Sequence, residues 1–128
     1  MSRTVAEALV DVLEEVGVKQ VFGLIGDSLN PLGDAIRQST IEWVGVRHEE
    51  GAALAAAGQA KLTGRLAVCA GTTGPGSTHL VAGLYDAARD HAPVLARKRT
   101  VPALSVELPR DRRLGTGHIL SQLRELKR

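Results

Sequence analysis

Two adjacent carboxylates and a histidine open a segment that is built almost entirely of small residues. Residues 46–50 read Val-Arg-His-Glu-Glu, and residues 51–60 contain only Gly, Ala, Leu and Gln. A helix with so little side-chain bulk lets another backbone approach closely, and a carboxylate at its start can press against a flat ligand. The pattern predicts a cofactor site at an interface between domains or subunits.

The two carboxylates, Glu49 and Glu50, also have a plainer interpretation. The dipole of a helix favours negative charge at its N-terminus, so exposed acidic residues are common there. Neighbours in a helix point about a quarter-turn apart, so only one of the two can face an interface. The residues alone leave open which of them does.

A glycine-rich loop, residues 71–76, follows an apolar segment and precedes a predicted helix, an arrangement that can bind phosphate. A Walker A loop would need Lys where Ser77 stands, and Gly71, Gly74 and Gly76 give the reverse of the dinucleotide-binding spacing. A tight turn and a ligand contact of another kind both remain open.

Other catalytic patterns find little support. Ser77, His79 and Asp86 lie too close in sequence for a hydrolase triad and lack the Gly-x-Ser-x-Gly motif. The histidines and the junction glutamate do not show metal-ligand spacing: these are His48, Glu49, His79 and His91. No metal site is predicted, and each histidine is expected to be a structural hydrogen-bonding residue.

Composition narrows the class of protein. Aromatic residues make up 2% of the 128 residues, so the core must be built from Ala, Val and Leu. Cys69 is the one cysteine, which excludes a disulfide within the chain and favours a reducing, cytoplasmic setting. No apolar run approaches the roughly 20 residues of a membrane span, and the N-terminus does not have the pattern of a signal peptide. Cys69 is expected to be a small buried hydrophobe.

Helix and strand patterns alternate through residues 1–96, which predicts an α/β fold with a mostly parallel sheet flanked by helices. Thr4 and Glu7 form a capping box for the first helix, Asn30 and Pro31 open the second, and Gly64 follows the third. The predicted strands are residues 21–25, 41–46, 66–70 and 93–96, and the predicted helices after the first are residues 30 onward, 48–62 and 77–89. The loops at 26–28, 47–50 and 71–76 should meet at the carboxyl edge of the sheet.

The charge divides the chain in two at residue 96. Residues 1–96 contain 7 basic and 11 acidic residues, a net charge of −4, whereas residues 97–128 contain 9 basic and 3 acidic residues, a net charge of +6. A basic segment can bind nucleic acid, but a solvated chain end is the favoured interpretation, and no nucleic-acid partner is predicted. Domain 1–96 is therefore expected to be the folded body and 97–128 a divergent basic tail.

Five segments carry a family resemblance: residues 21–30, 47–50, 74–80, 83–87 and 90–96. In order and spacing they resemble the N-terminal, pyrimidine-binding domain of thiamine-diphosphate-dependent enzymes of the pyruvate oxidase and acetolactate synthase group. The resemblance covers residues 4–96. Residues 26–30, 47–50 and 78–80 are similar to pyruvate oxidases and quinone-dependent pyruvate dehydrogenases, since acetolactate synthases usually have Gln after the key Glu and Asn where His79 stands.

The resemblance implies roles for four positions. Glu49 matches the catalytic glutamate that hydrogen-bonds N1′ of the aminopyrimidine and favours the imino tautomer, whose 4′ nitrogen removes the C2 proton of the thiazolium ring. Gly26, Pro75 and His79 match positions that line the pyrimidine pocket, which assigns the glycine-rich loop to the ring and not to the diphosphate. The cofactor then serves as electron sink in the decarboxylation of a 2-keto acid such as pyruvate.

The resemblance also implies that this chain is incomplete. In the family, FAD is carried by the central domain of pyruvate oxidases, and the diphosphate and Mg²⁺ are bound by a C-terminal domain, and neither domain matches residues 97–128. We therefore expect binding of only the pyrimidine end of thiamine diphosphate, no activity of the chain alone, and a homodimer or association with a full-length or diphosphate-domain subunit. The alternatives are a non-catalytic interaction module, a catalytic subunit completed by a separate chain, and an unrelated nucleotide-binding module.

The resemblance ends at residue 97, where the charge changes sign. We expect a frameshifted or prematurely ended gene, or a deliberately short fragment. Translating the downstream DNA in all three frames checks this: the missing domains should appear in another frame, and their absence there would contradict a frameshift.

Overall fold

The chain builds a four-stranded parallel sheet with helices on both faces. The computed structural model describes residues 3–98, and the predicted tail lies outside them apart from its first two residues. The elements in chain order are α1 (Val5–Glu15), β1 (Gln20–Gly23), a 3₁₀ helix (Asp27–Leu29), α2 (Asn30–Arg37), β2 (Glu42–Gly45), α3 (Glu49–Thr63), β3 (Ala67–Gly71), α4 (Pro75–His79), α5 (Val81–Arg89) and β4 (Val94–Lys98).

All strand pairs run parallel, in the order β2-β1-β3-β4. The strands after β1 are therefore added on opposite sides of it, and the chain reverses its direction of growth between β2 and β3. The carboxyl ends of neighbouring strands lie together, which brings the loops after β1, β2 and β3 to one edge. The predicted α/β fold with a parallel sheet is confirmed.

Successive side chains of a strand point to opposite faces of the sheet, so alternate residues belong to two separate hydrophobic cores. Val68 and Ala70 of β3 belong to the cluster beneath α1 and α2, whereas Ala67 and Cys69 belong to the cluster beneath α3 and α5. β3 is buried along its whole length. Cys69 is fully buried, and the loss of solvation raises the pKa of its thiol to about 12, which confirms the expected small hydrophobe.

Local signals explain where the helices begin and end. The predicted capping box is present: the Thr4 hydroxyl accepts from the Glu7 backbone N–H at 3.2 Å, and the Glu7 carboxylate accepts from the Thr4 N–H at 2.7 Å. α3 ends at Gly64, whose φ of 65° lies in the left-handed region that favours glycine. These two boundaries agree with the sequence pattern to within a residue.

α3 and α5 pack with their backbones in near contact, which the small residues of α3 allow. A Cβ at Gly83 would lie 2.5 Å from Cβ of Ala53 and 2.6 Å from the backbone nitrogen of Leu54. Outside this contact, the ammonium of Lys61 bonds Asp86 at 2.7 Å and Asp90 at 2.6 Å. Hydrogen bonds to the two carboxylates raise the pKa of Lys61, and the bond to Asp86 is the larger cause, followed by the bond to Asp90.

The first predicted strand was too long. β1 ends at Gly23, and Leu24 and Ile25 are 36% and 48% exposed. β2 ends opposite at Gly45, and the last bond there runs from the Val46 N–H to the Gly23 carbonyl. With no further partner in β2, the rest of the apolar run leaves the sheet.

Two helix boundaries also differ from the prediction. Asn30 lies inside α2 and does not cap it, because a 3₁₀ helix precedes it, although Pro31 does occupy the first turn. The helix predicted over residues 77–89 is two helices, α4 and α5, separated at the fully buried Leu80.

β4 continues past residue 96, the last residue of the predicted strand segment 93–96. Arg97 and Lys98 pair with Ala70 and Gly71 of β3. Arg97 is only partly buried, since it stands at the carboxyl end of a strand that has one neighbour in the described sheet. The division into a domain and a tail at residue 96 stays a prediction.

We predict opposite effects of alanine at two helical glycines. Gly83→Ala should lower the free energy of unfolding by about 1–3 kcal/mol, because its Cβ has no room against α3. Gly58→Ala should raise it by about 0.5–1 kcal/mol, because a Cβ there meets nothing within 4 Å and alanine favours the helix. Urea unfolding of the two variants measures both changes, and equal destabilisation would contradict the close α3–α5 packing.

Candidate cofactor site at the carboxyl edge of the sheet

The start of α3 separates the two adjacent carboxylates. His48 is the N-cap residue, and its Nδ1 accepts a 3.3 Å hydrogen bond from the backbone N–H of Glu50. The Glu49 side chain then points inward and is 5% exposed as a residue, whereas Glu50 stays on the surface. Tertiary packing thus makes the choice that the residues alone left open.

Glu49 is held by a histidine from the next loop. Oε2 of Glu49 lies 3.2 Å from Nδ1 of His79, the last residue of α4. Among the described residues, only Glu49 and Ser77 are buried and polar or charged. A buried carboxylate needs such a partner, because an unpaired charge loses its hydration without compensation.

The rings of His48 and His79 lie against one another. Their centroids are 4.4 Å apart and their planes are inclined by 26°. Both histidines are partly solvent-accessible, with 54% and 42% of their side chains exposed. The pair joins the loop after β2 to the end of α4, on the partly exposed side of the Glu49–His79 contact.

The glycine-rich loop lets its backbone approach the carboxylate. A Cβ at Gly76 would lie 2.6 Å from Oε1 of Glu49 and 2.9 Å from Cγ2 of Thr72. Gly71 is packed in the same way, since its Cβ would lie 2.6 Å from the Gly76 carbonyl oxygen. Gly71 and Gly76 therefore serve close packing, Gly76 directly against Glu49, whereas Gly74 has a φ of 69° and serves the turn. A tight turn is one of the two interpretations that the sequence left open.

Thr72 connects this loop to the loop after β1. A Cβ at Gly26 would lie 2.7 Å from the Thr72 hydroxyl, and that hydroxyl shares a 2.8 Å hydrogen bond with Ser28. The Ser77 hydroxyl donates to the Thr72 carbonyl at 2.7 Å. Sequence reasoning placed Ser28 and Thr72 in loops expected at this edge but did not single them out, because a hydroxyl residue in a turn or a glycine-rich loop has no distinctive pattern.

The four predicted site residues all belong to this edge. Glu49 and His79 are in direct contact, Gly26 packs on Thr72, and Pro75 begins α4 one residue before Gly76. The hydrolase triad is not assembled, since the Ser77 hydroxyl donates to Thr72 and Asp86 binds Lys61.

The fold also assembles a cluster that sequence spacing did not reveal. One ligand atom each from His48, Glu49 and His79 lies within 4.8 Å of the others. The prediction that these residues lack a metal-ligand arrangement holds for their spacing along the chain but not for their positions in space. His91 is not in this cluster; it follows α5 with a positive φ of 53°.

Comparison with known protein families shows to which family this chain belongs. The sequence model of a family described as thiamine pyrophosphate enzyme, N-terminal TPP binding domain, matches residues 3–111. The chain belongs to this family. The family uses thiamine diphosphate, and the match extends 13 residues beyond the described structure and 15 beyond the predicted boundary at 96.

Curated relatives include much longer proteins. Pyruvate oxidase from Lactiplantibacillus plantarum is 52% identical over 91 residues, which are 70% of this chain and 15% of that enzyme. The acetolactate synthase isozyme 2 large subunit from Escherichia coli is 45% identical over 91 residues, or 71% and 17%. An uncharacterised 42.6 kDa protein from Pseudomonas amyloderamosa is 48% identical over 103 residues, or 80% and 26%. The chain thus spans between about a seventh and a quarter of the length of these relatives.

We predict that the two stacked histidines carry their protons on different nitrogens. An ionised carboxylate only accepts hydrogen bonds, so His79 should be protonated at Nδ1, whereas His48 should be protonated at Nε2 because its Nδ1 accepts from Glu50. Long-range ¹⁵N–¹H correlation spectra near pH ~8, where free imidazoles are neutral, distinguish the two tautomers.

Glu49→Gln and Glu50→Gln form the matched pair for this experiment. Glu49→Gln should change the ¹⁵N shifts of His79, and Glu50→Gln should have little effect on them, because of the two glutamates it is Glu49 that hydrogen-bonds the His79 ring. A proton on Nε2 of His79 in the unaltered chain would contradict the hydrogen bond to an ionised Glu49.

Proposed function

We propose that this edge is the pyrimidine-binding half of a thiamine diphosphate site, with Glu49 as the partner of N1′ and Gly26, Pro75 and His79 as the residues around the ring. The observation that carries the proposal is the buried Glu49 carboxylate, with one oxygen held by His79 and the other lying over Gly76. When bound, thiamine diphosphate supplies the carbon nucleophile and electron sink for decarboxylation of 2-keto acids such as pyruvate.

The residues present fit the pyrimidine end of this cofactor. A flat heteroaromatic ring needs surroundings without bulky side chains, and glycine at 26 and 76 lets the two loops pack directly on Thr72 and Glu49 with no side chain of their own between them. It also needs a carboxylate with one oxygen to spare. His79 contacts Oε2 of Glu49, which leaves Oε1 as the atom proposed to meet N1′.

Glu49 is placed to share the proton that the chemistry requires. It begins α3, and its Oε1 is the carboxylate oxygen that His79 does not contact. His79 keeps Oε2 in place, and the 5% exposure of the residue keeps bulk water from competing at Oε1. Glu49 therefore acts as the proposed proton relay at Oε1, and the surface residue Glu50 takes no part.

We further propose that the chain is inactive alone, because residues 3–98 offer groups for the pyrimidine ring, and the diphosphate, Mg²⁺ and FAD would need further binding residues. An exposed apolar strip favours association with another subunit, either a second copy or a diphosphate-domain chain. Leu54 of α3 is 46% exposed, and Val81 and Tyr85, one turn apart on α5, are 50% and 71% exposed. The same strip supports the alternative of a non-catalytic interaction module.

One finding and one further proposal concern the location of the protein. Within residues 3–98, no helix is long and apolar enough to cross a membrane. The single buried cysteine is compatible with the reducing conditions of the cytoplasm, the proposed location.

We predict that the isolated chain binds thiamine diphosphate and Mg²⁺ weakly or not at all in a calorimetric titration. The reason is that it offers only the pyrimidine half of a two-sided site. Tight binding of one cofactor per chain would contradict the half-site proposal.

We predict that residues 3–98 restore a working site when they replace the matching segment of the Lactiplantibacillus plantarum pyruvate oxidase. In this chimera, Glu49→Gln should lower the rate of pyruvate oxidation by about a hundredfold or more, since proton transfer contributes about 10²–10⁴-fold. Glu50→Gln is the matched control and should have little effect. A folded chimera without activity would favour the interaction module, and equal effects of the two substitutions would refute the role of Glu49.

A further inference from the structure

The His48–Glu49–His79 cluster has the composition of a metal site. Two imidazoles and one carboxylate are the ligands that Zn²⁺ and neighbouring divalent ions prefer, and three such ligands with open positions are typical of catalytic zinc sites. Their ligand atoms already lie within 4.8 Å of one another. Glu49 is buried to 5% exposure and directed at His79, so the anionic ligand is held in place before any ion arrives.

We propose that His48, Glu49 and His79 bind one divalent first-row transition metal ion, represented by Zn²⁺, with water completing the coordination. The inference rests on the positions of these three side chains and not on the proposed cofactor function, although Glu49 and His79 belong to both sites. It concerns a different class of ion and different residues from the Mg²⁺ expected with the diphosphate.

Two of the three ligands need little movement. In a tetrahedral site with bonds of 2.0–2.1 Å, ligand atoms lie about 3.4 Å apart. Oε2 of Glu49 and Nδ1 of His79 are 3.2 Å apart, so an ion can replace the shared proton without a change in backbone.

His48 must rotate, and its surroundings permit this. Its ring is nearly parallel to that of His79, so their in-plane lone pairs do not yet converge on one point. The side chain is 54% exposed, and besides the stacking on His79 its contacts are a 3.3 Å hydrogen bond from the Glu50 N–H and the Glu50 carboxylate 4.0 Å from Nδ1. Coordination uses an unprotonated nitrogen, so the ion either takes Nδ1 from that bond or binds Nε2 after the proton moves to Nδ1.

The two imidazole nitrogens and one carboxylate oxygen determine which metal ions the site should select. Mg²⁺ binds oxygen ligands and retains its water, so a site with two imidazoles should reject it. Co²⁺ is the suitable spectroscopic probe because its visible absorption reports on coordination geometry, and Zn²⁺ should displace it.

The test uses the untagged 128-residue chain after removal of metals with a chelator. Titration with Co²⁺ should give a saturable visible band at one ion per chain, which Zn²⁺ abolishes and Mg²⁺ does not. Absence of a saturable band, together with absence of Zn²⁺ binding by calorimetry, would overturn the proposal.

Variants then locate the ion. His48→Asn retains a good helix cap, and His79→Gln and Glu49→Gln retain hydrogen-bonding groups, so all three should fold, as circular dichroism can verify. Each should weaken Zn²⁺ binding by about tenfold or more, since loss of an outer-shell partner alone costs about 10–100-fold.

The matched controls replace equivalent groups elsewhere: His91→Asn at a surface turn, His118→Asn outside the described residues, and Glu50→Gln beside the cluster. These should leave the affinity unchanged. Binding that survives all three cluster variants, or that is lost in a control instead, would place the ion elsewhere and refute the proposal.

Discussion

The arrangement of this edge depends on burying one carboxylate, Glu49, against a glycine-rich loop that has no room for a side chain at Gly76. A charged group leaves water only when other groups replace its hydration. His79 supplies one hydrogen bond, and the backbone at Gly76 comes so close to the other oxygen that a single Cβ would collide with it. The position of Glu49 therefore depends on both neighbouring loops and, through them, on the register of β2 with β1 and of β1 with β3.

The same lack of bulk organises the helices behind the site. α3 and α5 meet at Gly83 and Ala53 with almost no side chain between them, and the buried face of α3 is otherwise alanine. This close backbone packing holds α5 directly against α3, the helix that begins with Glu49 after its N-cap residue His48. Lys61 then ties the outer ends of the two helices together through Asp86 and Asp90.

The cluster has been interpreted both as half of a cofactor site and as a metal site. Both interpretations depend on the same feature of its side chains. A buried, partly satisfied carboxylate flanked by two accessible imidazoles can accept either a protonated ring nitrogen or a metal ion. The difference between them lies in His48, which must turn to bind an ion but can keep its place as the N-cap when Glu49 meets a ring. Tautomer measurement, metal titration and the chimera therefore examine separate properties of the three side chains.

Much of the fold could be read from local patterns. The capping box at Thr4, the left-handed glycine after α3 and the alternation of helix with apolar strand depend on near neighbours in the chain, and these signals survive folding unchanged. The strand ends were less predictable, because a strand stops where its partner stops. Leu24 and Ile25 are apolar enough for a strand but have no partner beyond Gly45 of β2, and Arg97 is charged yet pairs with β3.

For the site, the sequence by itself determined which chemical groups were present: a His-Glu-Glu junction, a glycine-rich loop and a family whose members use thiamine diphosphate. Only the tertiary structure decided how they meet. It turned Glu49 inward and Glu50 outward, and it brought His79 from 30 residues away to within 3.2 Å. The physical reason is that burial and hydrogen bonding depend on distances across the sheet, which strand order and register establish and which no local pattern encodes.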